Sequence, residues 1–115
     1  MATGPIQRKM DTPAHILPNN SALPSGTTEN GDGTWIEKTG CIVTVYFNLK
    51  TTSSGAVSIS GFIPEGYRPP FGIAIVLSDG GGNNITIGNI TDTGNVTLYF
   101  GPTKYAQGTV TYLSR

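Results

Sequence analysis

The sequence predicts an all-β domain: an antiparallel, jelly-roll-like sandwich or barrel of about seven strands, preceded by an extended N-terminal arm. Three observations carry this. Seven short runs rich in β-branched and aromatic residues follow one another between residues 33 and 115, with turn signals between them. No segment shows the 3.6-residue apolar period of an amphipathic helix. The longest run, CIVTVYFNL (41–49), alternates apolar and polar side chains, as a strand with one buried face does.

Taken in chain order, residues 1–32 read as the arm. Pro5, Pro13, Pro18 and Pro24 interrupt any long ladder, and the apolar residues come in groups too small for a core. Such a segment is expected to anchor the protein by docking on its own barrel, on sister subunits or on a larger assembly. Arg8 and Lys9 make a small solvated basic spot there, and His15 reads as an arm residue with a backbone partner.

The barrel, residues 33–115, opens with TWIEK, where Trp35 is expected to plug a barrel end. KTGC follows as a tight hairpin centred on Thr39–Gly40. In CIVTVYFNL, Cys41 reads as a small buried hydrophobe. Val43, Val45, Phe47 and Leu49 share the core face, and Thr44, Tyr46 and Asn48 the other. AVSIS adds Val57 and Ile59 to the core.

FIPEGYRPPFG (62–72) then reads as a stiff corner built on Pro64, Gly66, Tyr67, Arg68 and Pro69. IPEG suits a type I turn with Pro64 second and Gly66 fourth. Tyr67 is expected to pack inward and Arg68 to bond nearby carbonyls. Pro69 and Pro70 lack backbone donors, which suits a crossover. GIAIVL is apolar on both faces, which calls for cover on both, and in so small a domain the second cover is expected to be another subunit resting on Ala74 and Val76. SDGGGNN and TDTGN read as loops joining antiparallel neighbours, and NITIGNI, NVTLYF and GTVTYL complete the set, with Val96, Leu98 and Phe100 facing inward.

Composition excludes several functions. Only 12% of residues are charged and the net charge is zero, so no electrostatic footprint for nucleic acid exists. One cysteine and one histidine leave a Cys–His pair or a multi-His metal site without parts, and no cofactor is expected. The acids Asp11, Glu29, Asp32, Glu37, Glu65, Asp79 and Asp92 are scattered, whereas glycoside hydrolysis needs two carboxylates across one bond. An enzyme is therefore not expected. No apolar run approaches a membrane span, and residues 1–17 lack the apolar core of a secretory signal. The glycosylation-like patterns at Asn19, Asn84, Asn89 and Asn95 accordingly read as by-products of an Asn/Thr-rich composition.

A surface covered by Thr, Ser, Asn and Gly suits neutral hydrogen bonding, either to sugars or across large homomeric interfaces. Sugar binding needs aromatic faces with planar polar groups beside them. The candidates are Tyr46 and Tyr99 on outward faces and Asp79, Asn83, Asn84, Lys104 and Tyr105 in loops.

The order WIEKTG, a long apolar strand, IPEGYRPP, a strand pair around a glycine-rich loop, and YFGPTKYAQGTVTYL resembles the β-barrel head domains of receptor-binding, baseplate and fibre proteins of tailed phages infecting Gram-positive bacteria, the lactococcal phage heads above all. The resemblance spans residues 33–115. It implies a homotrimeric, non-enzymatic protein of the virion surface (tail tip, baseplate or capsid exterior). Residues 1–32 would contact other virion proteins, and the head would bind host cell-wall polysaccharide. The arm has none of the heptads of a receptor-binding shaft, which keeps a capsid decoration or head-fibre role as the alternative. A free carbohydrate-binding module is a third reading.

Overall fold

The computed structural model describes residues 14–52, 55–81 and 84–114. These form nine strands: β1 (Ala14–Ile16), β2 (Thr27–Glu29), β3 (Trp35–Thr39), β4 (Ile42–Thr51), β5 (Gly55–Ile59), β6 (Ile73–Ser78), β7 (Ile85–Ile90), β8 (Val96–Phe100) and β9 (Tyr105–Leu113). Every pairing is antiparallel, in the order β1-β3-β4-β9-β6-β7-β8-β5, with β2 also on β4. The seven runs read from the sequence are β3 to β9. Among the described residues the only helical turn is a 3-10 turn at Asn20–Ala22, and no helix is long and apolar enough to cross a membrane.

The sheet curls because its two halves are joined at one point. β9 pairs with β4 along its whole length but with β6 only through Gln107 and Ser78. The halves β1-β3-β4-β9 and β6-β7-β8-β5 close on each other as a half-barrel around one core. Ile36, Val43, Val45, Phe47 and Leu49 come from the first half, and Ile75, Leu77, Ile90, Val96, Leu98 and Phe100 from the second. Alternation explains the choice: each is an odd or even member of its strand, and its neighbours point outward. Each such side chain, fully buried, contributes roughly 1.5–3 kcal/mol.

The second half is a Greek key read backwards along the chain. β6, β7 and β8 are joined by short loops, and β5 lies beside β8, so the chain must cross from one side of the group to the other between β5 and β6. The stretch 60–72 makes this crossing. Phe62 and Ile63 are fully buried beneath it. Arg68 Nε donates to the Ile63 carbonyl (2.8 Å), Ile63 N–H donates to Gly94 O (3.0 Å), and Lys38 Nζ donates to Gly66 O (2.6 Å). Tyr67 packs against the core with Lys38 Nζ 5.4 Å from its ring centroid, and its carbonyl accepts from Tyr112 (2.6 Å). The turn is shifted by one residue from the expected one. Tyr67 N–H donates to Pro64 O (3.1 Å), so Pro64 is first and Gly66 third, at φ 91°, the position where a type II turn needs a glycine.

Two further expectations are corrected and a third is made specific. The arm docks in part on its own barrel, through Ala14–Ile16 and Thr27–Glu29: β1 pairs with β3 and β2 with β4, Thr27 and Thr51 share a buried hydroxyl bond (3.1 Å), and Asn19 N–H donates to Phe62 O (2.9 Å). Of the anchoring expected of residues 1–32, the part that falls on residues 1–13, with Arg8 and Lys9, lies outside the described residues. The β3–β4 hairpin turns on Gly40–Cys41, since Thr39 pairs with Ile42; Gly40 at φ 61° followed by a residue at negative φ fits type II′. Cys41 is consequently exposed at the hairpin tip, a free thiol and not a core residue.

Candidate functional site

Both β2 and β3 lie along the same edge of β4, one after the other. Between them the chain detours through residues 30–34. Asn30 N–H donates to Asn48 O (2.9 Å), and Asn48 N–H donates to the Thr34 hydroxyl (3.0 Å), so the ladder is bridged there by a side chain instead of a strand. The detour leaves an open cleft of about 370 Å³ on the outer face, lined by Asp32, Gly33, Trp35, Tyr46, Phe47, Asn48, Gln107, Gly108 and Thr109. That volume falls in the usual range for small-molecule sites.

One wall of the cleft is aromatic. Trp35 and Tyr46 are direct cross-strand partners, with ring centroids 4.7 Å apart and planes 15° from parallel. His15 from β1 stacks on Trp35 from the other side, 5.9 Å away and 6° from parallel. Because β3 lies between β1 and β4, the indole is covered on both faces, and the ring with a face left toward β9 is Tyr46. Glu37 fixes the ladder: it accepts from the Tyr46 hydroxyl (3.4 Å) and lies 3.6 Å from His15 Nδ1. The stack leaves Trp35 Nε1 buried without a partner. An unpaired buried N–H costs about 1–3 kcal/mol, and departures from polar satisfaction concentrate at functional sites.

The polar side of the cleft is partly committed already. Asn48 Oδ1 accepts from both Asn30 Nδ2 and Gln107 Nε2, each at 3.1 Å. Asp32 is exposed and its carboxylate has no hydrogen-bond or ion-pair partner among the described residues. The arrangement can stack a flat apolar face on Tyr46 and accept hydrogen bonds from hydroxyls at Asp32. It offers no nucleophile–base pair. Among the described residues no group of three His, Cys, Asp or Glu side chains gathers as metal ligands.

The residues singled out from the sequence fall in three places. Tyr46 lines the cleft. Tyr99 is exposed on β8, in a cross-strand row with Val76, Ile87 and Ala56. Ala74 and Val76 point outward from β6 on this same face. Asp79, Asn84, Lys104 and Tyr105 belong to the loop end where 78–84 meets 101–105; Asn83 lies outside the described residues.

Asp79 is not displayed to a ligand. It is 1% exposed, its Oδ1 accepts from Gly81 N–H (2.8 Å), and its backbone carbonyl accepts from Thr103 (2.6 Å). It is an Asx-turn residue that orders the loop. Lys104 is held as a turn residue at φ 65°, with Nζ donating to Thr52 O (3.1 Å).

Trp35 does not plug the barrel. Period-2 alternation carries the missed signal, since Ile36 faces inward at 0% exposure and Trp35 and Glu37 must therefore face outward. Asp32, Gln107 and Thr109 were likewise missed, because only the pairing of β4 with β3 and β9 sets them side by side.

No family model matches the chain, and neither the curated proteins nor the solved structures yield a match.

Proposed function

We propose that the protein is a non-enzymatic phage virion surface protein, a homotrimeric head that binds a host cell-surface saccharide in the Trp35–Tyr46 cleft. The observation that carries the binding reading is the aromatic ladder: a half-buried tyrosine face beside a free carboxylate and two amides, in a cleft of about 370 Å³. Sugars have apolar ring faces and donating hydroxyls, which match these two kinds of group. Each contact of this kind is weak, and three copies on one head multiply them.

Self-association is supported by the outer face of β6–β8, where Val76 and Ile85 are 60% exposed, Ile87 49% and Tyr99 48%, with no charged residue among the outward positions of β5 to β8. The virion location rests on the sequence resemblance alone, and residues 1–13 are the proposed contact with other virion proteins.

The test is retention of the purified protein on host cells and cell-wall glycan. Wild type should be retained and Tyr46→Ala should not, with the variant still folded and only about 1 kcal/mol less stable. Equal retention of the two proteins would sink the cleft as the site. The alternative, a capsid decoration or head-fibre protein, draws on the same apolar face. It predicts incorporation into particles that fails when residues 1–13 are removed, with no glycan retention.

A further inference from the structure

Resting on the saccharide reading of the cleft, we infer that the site selects neutral, hydroxyl-rich saccharides over acidic ones, and that Asp32 sets this selection. Asp32 is the only Asp, Glu, Lys, Arg or His among the residues lining the cleft. It stands in the exposed turn between β2 and β3, where its carboxylate is free to accept from a ligand. The amides are less available: both donors that reach Asn48 Oδ1 come from within the protein.

The cleft's open capacity is therefore that of an acceptor bearing a negative charge. Adjacent sugar hydroxyls donate well to a carboxylate, and such charge-assisted bonds are stronger than neutral ones. A uronate or phosphate on the ligand would instead face Asp32 with no cation in the lining to offset it. The nearby charges on this face do not change the sign. Glu37 is itself acidic and occupied by Tyr46 and His15, and Lys50 lies two residues beyond Asn48 along β4, outside the cleft. Two like charges several ångströms apart, in surroundings between bulk water and a protein surface, repel enough for about a tenfold loss of affinity.

The experiment compares matched pairs: neutral oligosaccharides of glucose, galactose and mannose against the same chains oxidised to C6 carboxylates, titrated into the full-length protein and into Asp32→Asn at low salt. Wild type should bind the neutral member of at least one pair about tenfold more tightly than its acidic counterpart, and Asp32→Asn should shrink that ratio toward one. Equal affinity of wild type for the two members, or an unchanged ratio in Asp32→Asn, overturns the selection while leaving the cleft a saccharide site. Failure of every pair to bind wild type overturns the saccharide reading and this inference with it.

Discussion

The two halves of the curled sheet share one core and present opposite outer surfaces. Outside β3, β4 and β9 stand Trp35, Glu37, Thr44, Tyr46, Asn48, Gln107 and Thr109, with the exposed pair Ile42 and Leu113 at the hairpin end; hydrogen bonds join Tyr46 to Glu37, Thr44 to Thr111 and Gln107 to Asn48. Outside β6, β7 and β8 stand Ala74, Val76, Ile85, Ile87 and Tyr99, flat and without charge. Strand alternation is obeyed equally in both, so the difference lies wholly in what the outward positions carry. The first surface offers directional polar groups, and the second offers a broad apolar area. A strand apolar on one face would need only the shared core; β6 and β7 carry apolar residues on the second face as well, and the proposed self-association rests on these.

The sharpest way to break the comparison is to disturb the apolar half from within. Gly88 lies on the inner face of β7, opposite Ile75 and Leu98. A Cβ there would collide with the Thr97 carbonyl oxygen and come within 3.0 Å of Leu98 Cδ2. Backbone cannot swing aside as a side chain can, so Gly88→Ala should cost at least about 3 kcal/mol, read as a large fall in melting temperature or failure to fold. The counterpart in the first half is Gly108, at φ 140°, where the nearest atom to an added Cβ is Leu77 Cδ2 at 3.4 Å. Here conformation and not space demands glycine, and Gly108→Ala should cost less, about 1–2 kcal/mol. Equal losses at the two sites would show that the collision at Gly88 is relieved as easily as the backbone strain at Gly108.

From outside, Val76→Asp tests what the apolar surface is for. The residue is 60% exposed, so folding should change by less than about 0.5 kcal/mol. An interface through the row Val76–Ile87–Tyr99 would acquire a desolvated charge, and trimer should give way to monomer in light scattering, a shift of at least about a hundredfold in association. Wild-type protein that is monomeric at micromolar concentration would refute the proposed assembly without touching the fold.

How far the two halves could be read from sequence differs as well. The strands and their inward faces were legible because alternation is local: Val43 to Leu49 and Val96 to Phe100 point as their spacing requires. GIAIVL was legible even in its outward apolar residues. The cleft was not, because it is made by pairings distant in sequence. Tyr46 meets Trp35 and Thr109, and Asn48 meets Gln107, through the registers of β4 with its two neighbours. β1 and β2 were hidden for a related reason. Three-residue strands in a segment interrupted by prolines have no period of their own and pair only because β3 and β4 offer them an edge. Cys41 and Asp79 were misplaced because their exposure depends on turn geometry: a one-residue shift put the thiol at a hairpin tip, and an Asx turn drew the carboxylate inward.

A smaller effect is expected at Tyr46 itself. Tyr46→Ala removes the stacking partner of Trp35 and a 3.4 Å bond to Glu37 in a half-buried setting. An aromatic pair contributes about 0.5–1.5 kcal/mol beyond its burial, so the stability loss should stay near 1 kcal/mol. A loss of glycan affinity above tenfold alongside it would separate binding from folding, whereas parallel losses in both would make the ladder a structural feature only.

The finest distinction concerns the joint between the halves. Tyr112 lies at the end of β9 in the first half, yet its hydroxyl donates to the Tyr67 carbonyl of the crossover that serves the second (2.6 Å). Burial pushes its pKa well above the ordinary tyrosine value, because the phenolate would have to be held away from water. The consequence for stability follows from which state releases the proton first. Below about pH 9 both folded and unfolded chains keep it, and Tyr112 contributes its full share. As the pH rises past about 10 the unfolded chain ionises while the folded one cannot, so stability falls with pH. Tyr112→Phe should therefore cost about 1 kcal/mol at pH 7, the worth of one buried hydrogen bond, and should then lose stability less steeply than wild type between about pH 10 and 12. Denaturant midpoints measured across that range should converge. Parallel curves would mean that Tyr112 ionises as easily folded as unfolded, and that the crossover is held to the first half by its other contacts, among them the Lys38–Gly66 bond.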